Sequence, residues 1–361
     1  MEASYEKIKH CNYIGQGRSG KDIHGVYYRS EKNIYYNVKY VVDADARRRA
    51  VSEEIYPGCQ IFATYQELFG FEDIDLVVNA SFSEMHFAIT KDLLEHGFNV
   101  LVEKPFARNQ FECETLERLA KEKGVLLAVF QNTQVAPFYL DALERCKSGQ
   151  LGDVKQVSIR YNNLSRRWDW QTLQKRMGGS AYNTGPHPIA MALGFLDFDS
   201  NVKVAYSKLD RALTSGDAED YVKILLEAPN KPVVDIEINS TDAFADYNIK
   251  IQGSKGTLKS TPAGYKIKYI VDGENPVREA VAEFLQDENG NPIYCSEKLI
   301  THEEEGKYEG TAFDVGTARI YESVYNTLVE GKPLTVPVFH STMTISVIET
   351  AHAQNPLSVK F

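Results

Sequence analysis

Lys104 is the residue whose type and position point most directly to chemistry in this chain. It follows the apolar run 100–102 and Glu103, and it precedes Pro105. In open α/β sheets, ligands bind beyond the carboxyl ends of the strands, so an ammonium group there is placed to touch a bound ligand. An ordinary surface ion pair between Lys104 and Glu103 explains the same residues about equally well.

A GxGxxG pattern follows the first predicted strand. Its residues are Gly15, Gln16, Gly17, Arg18, Ser19 and Gly20. The first glycine of such a pattern allows a tight turn, the second lets a pyrophosphate approach the backbone, and the third lets a helix pack on the strand. The amino end of that helix offers free N–H groups to the phosphate. The pattern is weak by itself, because glycine-rich turns are frequent.

Asp43 strengthens the interpretation of that pattern as a dinucleotide site. It ends a second apolar strand, predicted over residues 38–42, and lies 23 residues after Gly20. A carboxylate there accepts hydrogen bonds from ribose hydroxyls and repels a 2′-phosphate, which favours NAD over NADP. A turn or helix cap is the alternative role. The three arginines at 47–49 could pair with a 2′-phosphate, although arginines in the first turns of a surface helix are usually solvated.

His187 and Asn183 lie in a second informative stretch, which begins with a Gly-Gly turn at 178–179. The two residues are four positions apart, so on a helix they would share a face. Gly185 and Pro186 disfavour an ordinary helix there, unless Pro186 lies in a first turn. A lone histidine is usually a structural residue. The position of His187 behind the glycine turn, in the part of the chain that must cap the cofactor, favours a functional role.

These residues need a framework, and residues 76–107 predict its centre. The apolar runs 76–78 and 100–102 flank apolar residues at roughly helical spacing. Continuous apolar strands around an amphipathic helix are typical of a parallel βαβ unit that is buried on both faces. A further strand is predicted over 125–130. Residues 1–133 are therefore expected to form one dinucleotide-binding domain.

The pattern changes after residue 133. A helix over 138–147 is followed by strand-like segments with turn signals between them, and two closing helices are expected over 312–329 and 342–353. Runs of strands with one polar face indicate an antiparallel sheet. The predicted strands are 154–161, 202–208, 220–227, 233–239, 247–252 and 265–271. Residues 134–361 are expected to form a second, substrate-binding and oligomerisation domain.

Composition limits the classes of function. A chain of 361 residues is too long for one ordinary hydrophobic core, so two domains are expected. A content of 43% hydrophobic and 25% charged residues is typical of a soluble globular protein. Five scattered cysteines without a CxxC pair predict neither a disulfide framework nor a zinc site, and no metal is expected. A net charge of -10 argues against nucleic-acid binding. The chain lacks the roughly 18-residue apolar stretch of a membrane helix, and residues 1–10 lack a signal core, so a cytoplasmic location is expected.

In combination, these features resemble the Gfo/Idh/MocA family of sugar and polyol oxidoreductases. The glycine loop, Asp43, segment 81–86, the Glu103-Lys104-Pro105 stretch and segment 178–187 occur in the family's order and spacing. The turn at 253–258 also resembles a family feature, so the likeness spans nearly the whole chain. It implies an N-terminal Rossmann domain with a doubly wound parallel sheet. It also implies a C-terminal α+β domain with a large open, mostly antiparallel sheet, which commonly mediates homodimers or homotetramers.

The resemblance implies a cofactor site for NAD, with NADP as the less favoured alternative. Its predicted residues are Gly15, Gly17, Arg18, Ser19, Gly20, Asp43, Ala80, Ser81, His86, Glu103 and Lys104.

It also implies a reaction, with Lys104, His187 and Asn183 as catalytic residues. A substrate hydroxyl would bind near Lys104 and His187, and hydride would leave for the cofactor while a base takes the hydroxyl proton. Histidine suits that base because its unperturbed pKa is near neutrality, and Lys104 would stabilise the developing alkoxide. Lys104 could exchange the proton itself if burial lowered its pKa. The sequence does not rank the two.

Three positions depart from the family pattern. Many members carry aspartate where Asn183 stands, and an acidic residue often occupies the position of Ala190. Arginine is frequent in the family where this chain has Thr133 and Gln134. Asparagine can hold a hydroxyl, but it cannot act as a general base, so the departures concern which group moves the proton.

The substrate is expected to be a sugar, a polyol or a derivative. Its predicted contacts are Lys104, Asn132, Arg166, Trp168, Asn183 and His187. Aromatic rings and planar donors suit a sugar ring, although a core tryptophan and solvated arginines explain these residues as well. The leading prediction is an NAD-dependent dehydrogenase of a secondary hydroxyl or ketone. The alternatives are a non-catalytic NAD and sugar sensor, and a redox-neutral, NAD-recycling glycosidase or epimerase-like enzyme.

Overall fold

The first sheet is built from six short strands, of which two, Val100–Val102 and Leu127–Val129, are apolar along their whole length. The computed structural model describes residues 8–361. Residues 1–7, which belong to the segment 1–10 that lacks a signal core, lie outside the described residues. The strands are β1 (Ile8–Ile14), β2 (Tyr36–Val42), β3 (Gln60–Phe62), β4 (Leu76–Asn79), β5 (Val100–Val102) and β6 (Leu127–Val129). All are parallel, in the order β3-β2-β1-β4-β5-β6. The order reverses at β1, which creates the crevice where such sheets bind ligands.

Helices cover both faces of this sheet. A π-helical segment (Gly20–His24) leads into α1 (Gly25–Tyr28), and α2 (Ala46–Ile55), α3 (His86–Glu95) and α4 (Gln110–Lys123) follow β2, β4 and β5. The ends of α4 show why it stops where it does. Asn109 caps its amino end, and Gly124 ends it in the left-handed conformation that glycine adopts without strain.

The second sheet is larger and mostly antiparallel. The strands of this sheet, and the three helices that accompany them along the chain, are α5 (Pro137–Lys147), β7 (Val154–Arg160), α6 (Ser180–Asn183), α7 (Pro186–Phe195), β8 (Lys203–Asp210), β9 (Tyr221–Glu227), β10 (Val233–Asn239), β11 (Ile249–Gly253), β12 (Gly256–Thr261), β13 (Gly264–Tyr269) and β14 (His302–Lys307). The strand order is β14-β13-β12-β11-β7-β10-β9-β8, and only β7 and β10 are parallel neighbours. The predicted fold class is therefore confirmed for both sheets.

Alternation along the strands gives the second sheet one apolar and one polar face. On β9, Val222, Ile224 and Leu226 are buried in the core. On the opposite face of the neighbouring strands, Asp235 accepts from Arg160 at 2.6 Å and pairs with Lys223 at 2.7 Å. A polar face of this kind is typical of an antiparallel sheet that is covered on one side only.

Two C-terminal helices, α8 (Thr317–Glu330) and α9 (Val338–Gln354), complete the fold. The ring of Tyr321 on α8 stacks on Tyr27 with centroids 4.4 Å apart, and Tyr36 donates to its carbonyl at 2.7 Å. Helix α8 therefore packs beneath the first sheet, although the sequence assigned it to the second domain. The division between residues 133 and 134 stays a prediction.

Three strands were not predicted: β3, β12 and β14. Strand β14 has the sequence HEEEGK, and its charges explain the omission. Glu303 and Glu305 lie beside Lys268 and Lys266 of β13, so the ion pairs that suit this strand to the sheet become apparent only once the strands are paired. Along residues 8–361, no helix is long and apolar enough to span a bilayer.

Candidate active site

The glycine loop after β1 fits a dinucleotide. Gly15 has φ +94°, and a side chain there would overlap the carbonyl of Ala80. A Cβ on Gly20 would overlap the carbonyl of Gly15, so these two glycines serve close packing. At Gly17 a Cβ would meet only the guanidinium of Arg48, at 4.0 Å. The middle glycine therefore leaves space at the backbone, as a pyrophosphate needs.

Asp43 follows β2, and its carboxylate is held by two backbone N–H groups, one from the glycine loop and one from its own turn. Its Oδ2 accepts from the N–H of Gln16 at 2.7 Å, and its Oδ1 accepts from the N–H of Asp45 at 2.8 Å. The Arg48 guanidinium lies 3.6 Å from Oδ2. A group that repels a 2′-phosphate and one that attracts it thus stand side by side.

Ser81 and His86 form the next loop, after β4. The Ser81 hydroxyl donates to Asn79 at 2.7 Å, and the His86 ring lies 2.7 Å from the carbonyl of Pro105 and 3.2 Å from that of Ser81. Burial lowers the pKa of His86, so its ring is neutral. Because this ring is buried between the two carbonyls and its single N–H donates to one of them, it holds the loop and the Lys104-Pro105 turn in place. A direct cofactor contact, as predicted from the sequence, does not fit this position.

Lys104 lies past the end of β5, partly buried, and faces the second domain. Its Nζ donates to the backbone carbonyl of Asn183 at 2.8 Å. Burial lowers the pKa of Lys104, Glu103 opposes this shift, and the charges of Arg18 and Arg167 add to it. Its proton is therefore easier to remove than that of a solvated lysine.

His187 lies in the first turn of α7, where Pro186 occupies the first position. Its Nδ1 is 3.1 Å from the hydroxyl of Thr133, which comes from the loop after β6. Burial, followed by the positive charge of Lys104, lowers the pKa of His187 to about 3. The imidazole is therefore neutral near pH 7 and is a weak base.

Asn183 ends α6 and is held from both sides. Its Oδ1 accepts from Gln171 at 2.7 Å, while its carbonyl accepts from Lys104. Gln171 in turn accepts from Arg167. Helix α6 is positioned by Glu219, which accepts from the N–H of Ala181 at 2.9 Å. The structure thus brings Lys104 of the first domain into direct contact with Asn183 of the second domain.

Behind Lys104, a buried chain of polar groups was not found from the sequence. The Oε1 of Glu103 is 3.0 Å from His24, and its Oε2 accepts from the N–H of Lys104 at 3.0 Å. His24 also contacts the Tyr321 hydroxyl at 2.8 Å. Burial would raise the pKa of Glu103, but the hydrogen bond with His24 and nearby positive charge outweigh it, so this pKa is lowered. The sequence feature that could have indicated this chain is the position of His24 in the helix directly after the glycine loop.

Three predicted substrate contacts lie elsewhere than expected. Asn132 is only 2% exposed and donates to the carbonyl of Ala312, so its amide is engaged within the protein and Thr133 reaches the site instead. Trp168 is 80% exposed and Arg166 is exposed beside it. Both lie at the rim of the site, outside the contact between Lys104 and Asn183. Within residues 8–361, no group of three His, Cys, Asp or Glu residues could hold a metal ion.

Comparison with protein families agrees with this geometry. Residues 9–131 match the model of the oxidoreductase family with an NAD-binding Rossmann fold, GFO_IDH_MocA. Residues 139–259 match the GFO/IDH/MocA C-terminal domain. The chain belongs to the Gfo/Idh/MocA family. Its first sheet with the glycine loop is the NAD-binding Rossmann domain of this family.

Similar proteins span nearly the whole length of this Gfo/Idh/MocA member. The uncharacterized oxidoreductase YhhX of Escherichia coli is 26% identical over 96% of this chain and 97% of its own. The scyllo-inositol 2-dehydrogenase (NADP(+)) IolW of Bacillus subtilis is 22% identical over 94% and 91%. The crystal structure of GenD2 from gentamicin A biosynthesis, in complex with NAD, has a TM-score of 0.75 at 19% identity, over 96% and 94%. The last likeness shows the shared fold.

Proposed function

We propose that this protein is a dehydrogenase that transfers hydride between NAD and a secondary hydroxyl or ketone of a sugar, a cyclitol or a sugar derivative. The observation that supports it best is the hydrogen bond from Lys104 to the carbonyl of Asn183. This contact joins the cofactor domain to the second domain at a partly buried ammonium with a lowered pKa. Perturbed titratable groups in a cleft are typical of catalytic sites.

In this proposal, the glycine loop and Asp43 hold the cofactor. Gly17 leaves the backbone open to the pyrophosphate, and Asp43 accepts from the ribose hydroxyls. NAD supplies the hydride acceptor, or its reduced form the donor. We infer NAD over NADP because a carboxylate after the second strand, as Asp43 is, opposes a 2′-phosphate. The name of IolW, which specifies NADP, and the nearby Arg48 make this preference a point to test.

Lys104 is the better candidate for the proton acceptor. A general base is most effective when its pKa is close to the working pH. The pKa of His187 is about 3, too low for that task, whereas burial lowers the pKa of Lys104 from the ordinary value of 10.5 and so makes its neutral form more accessible. In the oxidation direction, neutral Lys104 takes the hydroxyl proton. His187 and Asn183 orient the hydroxyl by hydrogen bonding.

The proposed substrate class is a polyhydroxylated ring. Its support is the named substrate of IolW, which is a cyclitol, and the exposed donors at the rim of the site, including Arg166. The test is NADH formation by the purified protein with inositols, aldoses, uronates and phosphorylated sugars, with NAD and NADP in parallel. Turnover with any member of the panel, and its loss in Lys104→Ala, is the expected result.

The second candidate is a protein that binds NAD and a sugar without turnover. Asn183 favours it, because its side chain is held by Gln171 and supplies no carboxylate to the site. This candidate predicts measurable binding of NAD together with no change in absorbance at 340 nm across the panel. Release of a sugar without net NADH would instead indicate the redox-neutral reaction.

A further inference from the structure

A long segment between β13 and β14 lies outside the body of the protein. Residues 272–301, here called the arm, connect these strands, and every one of them except Asn275 is exposed. The arm is nevertheless ordered at its tip, where Ile293 donates to the carbonyl of Leu285 at 2.9 Å. The side chain of Asp287 also accepts from the N–H of Asn291 at 2.9 Å. It is therefore a defined projection that does not lie on its own sheets.

The arm carries apolar side chains that water surrounds almost completely. Val277 is 98%, Phe284 is 99% and Tyr294 is 92% exposed. Large apolar side chains grouped on one exposed segment are unfavourable in water and are typical of a surface that another molecule covers. The same segment holds seven acidic and two basic residues, so a complementary surface must be both apolar and positively charged.

The rim of the candidate active site has these two properties. Leu164 is 63% and Trp168 80% exposed there, and residues 161–176, here called the rim, hold four basic residues and one acidic residue. Arg166 of the rim is exposed, and its side chain forms no ion pair or hydrogen bond with any residue in the described range 8–361. Arg167 is connected through Gln171 to the catalytic centre. The rim is thus continuous with the site.

The topology places the arm and the rim at opposite ends of the second sheet. The arm begins after Ile270, which donates to Lys255, and Lys255 donates to Leu151, just before β7. The rim begins directly after β7 ends at Arg160. Because β7 has seven residues, the start of the arm and the start of the rim are about 23 Å apart along the strand direction within one chain. Half of the arm, when extended, reaches up to about 50 Å.

We propose that two copies of this chain pair reciprocally, so that the arm of each copy covers the rim of the active site of the other. A two-fold axis perpendicular to the strands reverses the direction of β7 between the two copies, so the arm of one copy lies at the same end of the sheets as the rim of the other. The acidic arm then faces Arg166, and Phe284 and Tyr294 cover the apolar side chains of the rim. Each site is closed by residues of the partner.

The proposal rests on the proposed function only in calling this rim part of an active site. Its test therefore uses a readout that needs no turnover. Among the cysteines, Cys295 is the exposed one and lies in the arm, while Cys11, Cys59 and Cys113 are buried and Cys146 is partly buried. A second cysteine at the rim, in Leu164→Cys, allows an oxidative cross-link between the two features.

The variant is oxidised at low micromolar concentration as a mixture of unlabelled and ¹⁵N-labelled protein, and the linked peptides are identified by mass spectrometry. We expect a 164–295 disulfide between labelled and unlabelled chains, which is absent in Leu164→Cys/Cys295→Ser. The matched control is Phe111→Cys, 72% exposed on α4, which should link to Cys295 at least tenfold less. Equal yields for the two positions, or a 164–295 link within one chain, would overturn the proposal.

A second variant removes the apolar side chains of the arm. Phe284→Ala/Tyr294→Ala should raise the dissociation constant of the dimer at least tenfold in sedimentation velocity. Phe111→Ala/Phe313→Ala, which removes two other exposed aromatic rings, should leave it unchanged. A wild-type protein that is monomeric at tens of micromolar would contradict the proposal, whatever its dehydrogenase activity. Conversely, a cross-linked dimer without turnover would contradict only the proposed function.

Discussion

The Nε2 of His24 and the Oε1 of Glu103 are 3.0 Å apart, and both side chains are almost fully excluded from water. The second oxygen of Glu103 accepts from the N–H of Lys104, so this buried pair fixes the backbone that carries the proposed proton acceptor. The pair joins the helix after the glycine loop to the end of β5. It therefore ties the two halves of the cofactor site together.

Replacing His24 by alanine leaves the carboxylate of Glu103 buried without this partner. We expect the free energy of unfolding to fall by about 3–5 kcal/mol, because an unpaired buried charge retains its desolvation cost. Urea unfolding measures the change. The matched control is His302→Ala, which removes an exposed pair with Glu274 at 2.6 Å and should cost less than about 1 kcal/mol. Similar losses in both variants would show that the pair is unimportant.

Lys104→Ala should abolish turnover while cofactor binding persists. A variant without the proton acceptor and its charge should lose at least about a thousandfold in kcat, a loss of about 4 kcal/mol. The dissociation constant of NADH, measured by fluorescence, should change less than about threefold. Lys121→Ala, which removes an exposed lysine of α4, serves as control. A Lys104→Ala enzyme that keeps most of its rate would refute the assigned role.

The pH dependence of oxidation should identify the group that takes the proton. Because the pKa of Lys104 is lowered from 10.5, the fraction of neutral lysine and hence kcat/KM should rise with pH through a value below 10.5. His187, with a pKa of about 3, is already neutral and adds no limb between about pH 5 and pH 9. His187→Asn should therefore lower the rate but keep the limb. A limb that disappears in this variant would make the histidine the base.

Asp43 and Arg48 should set the choice between NAD and NADP. Asp43→Ser removes the carboxylate that opposes a 2′-phosphate. Arg48, which lies 3.6 Å from that carboxylate in the wild-type protein, then becomes free to bind the 2′-phosphate. We expect the ratio of kcat/KM for NADP over NAD to rise at least tenfold. The double variant Asp43→Ser/Arg48→Ala should lose most of that gain. Asp45→Ser, which changes the cap of α2, controls for local disturbance.

The parts of the site that were predictable from the sequence depend on local pattern. The apolar runs of β4 and β5 placed Glu103 and Lys104 at a strand end, and the glycine spacing located the loop that Asp43 faces. In each case the signal lies within a few tens of residues, where strand and turn rules apply.

The contacts that escaped prediction join distant parts of the chain. His24 meets Glu103 across 79 positions, and Thr133 meets His187 across 54. Nothing in the local periodicity of any of these residues indicates its partner. The location of α8 beneath the first sheet was missed for the same reason, since an amphipathic pattern shows that a face is buried but does not show in which core.

The position of Tyr321 has a consequence for the order of events during synthesis. Its hydroxyl contacts His24, and its ring stacks on Tyr27, so one wall of the N-terminal core is made by a residue that leaves the ribosome about three hundred residues later. The nascent cofactor domain therefore keeps an apolar surface exposed until α8 emerges. A chain that stalls before that point should depend on chaperones to stay unaggregated.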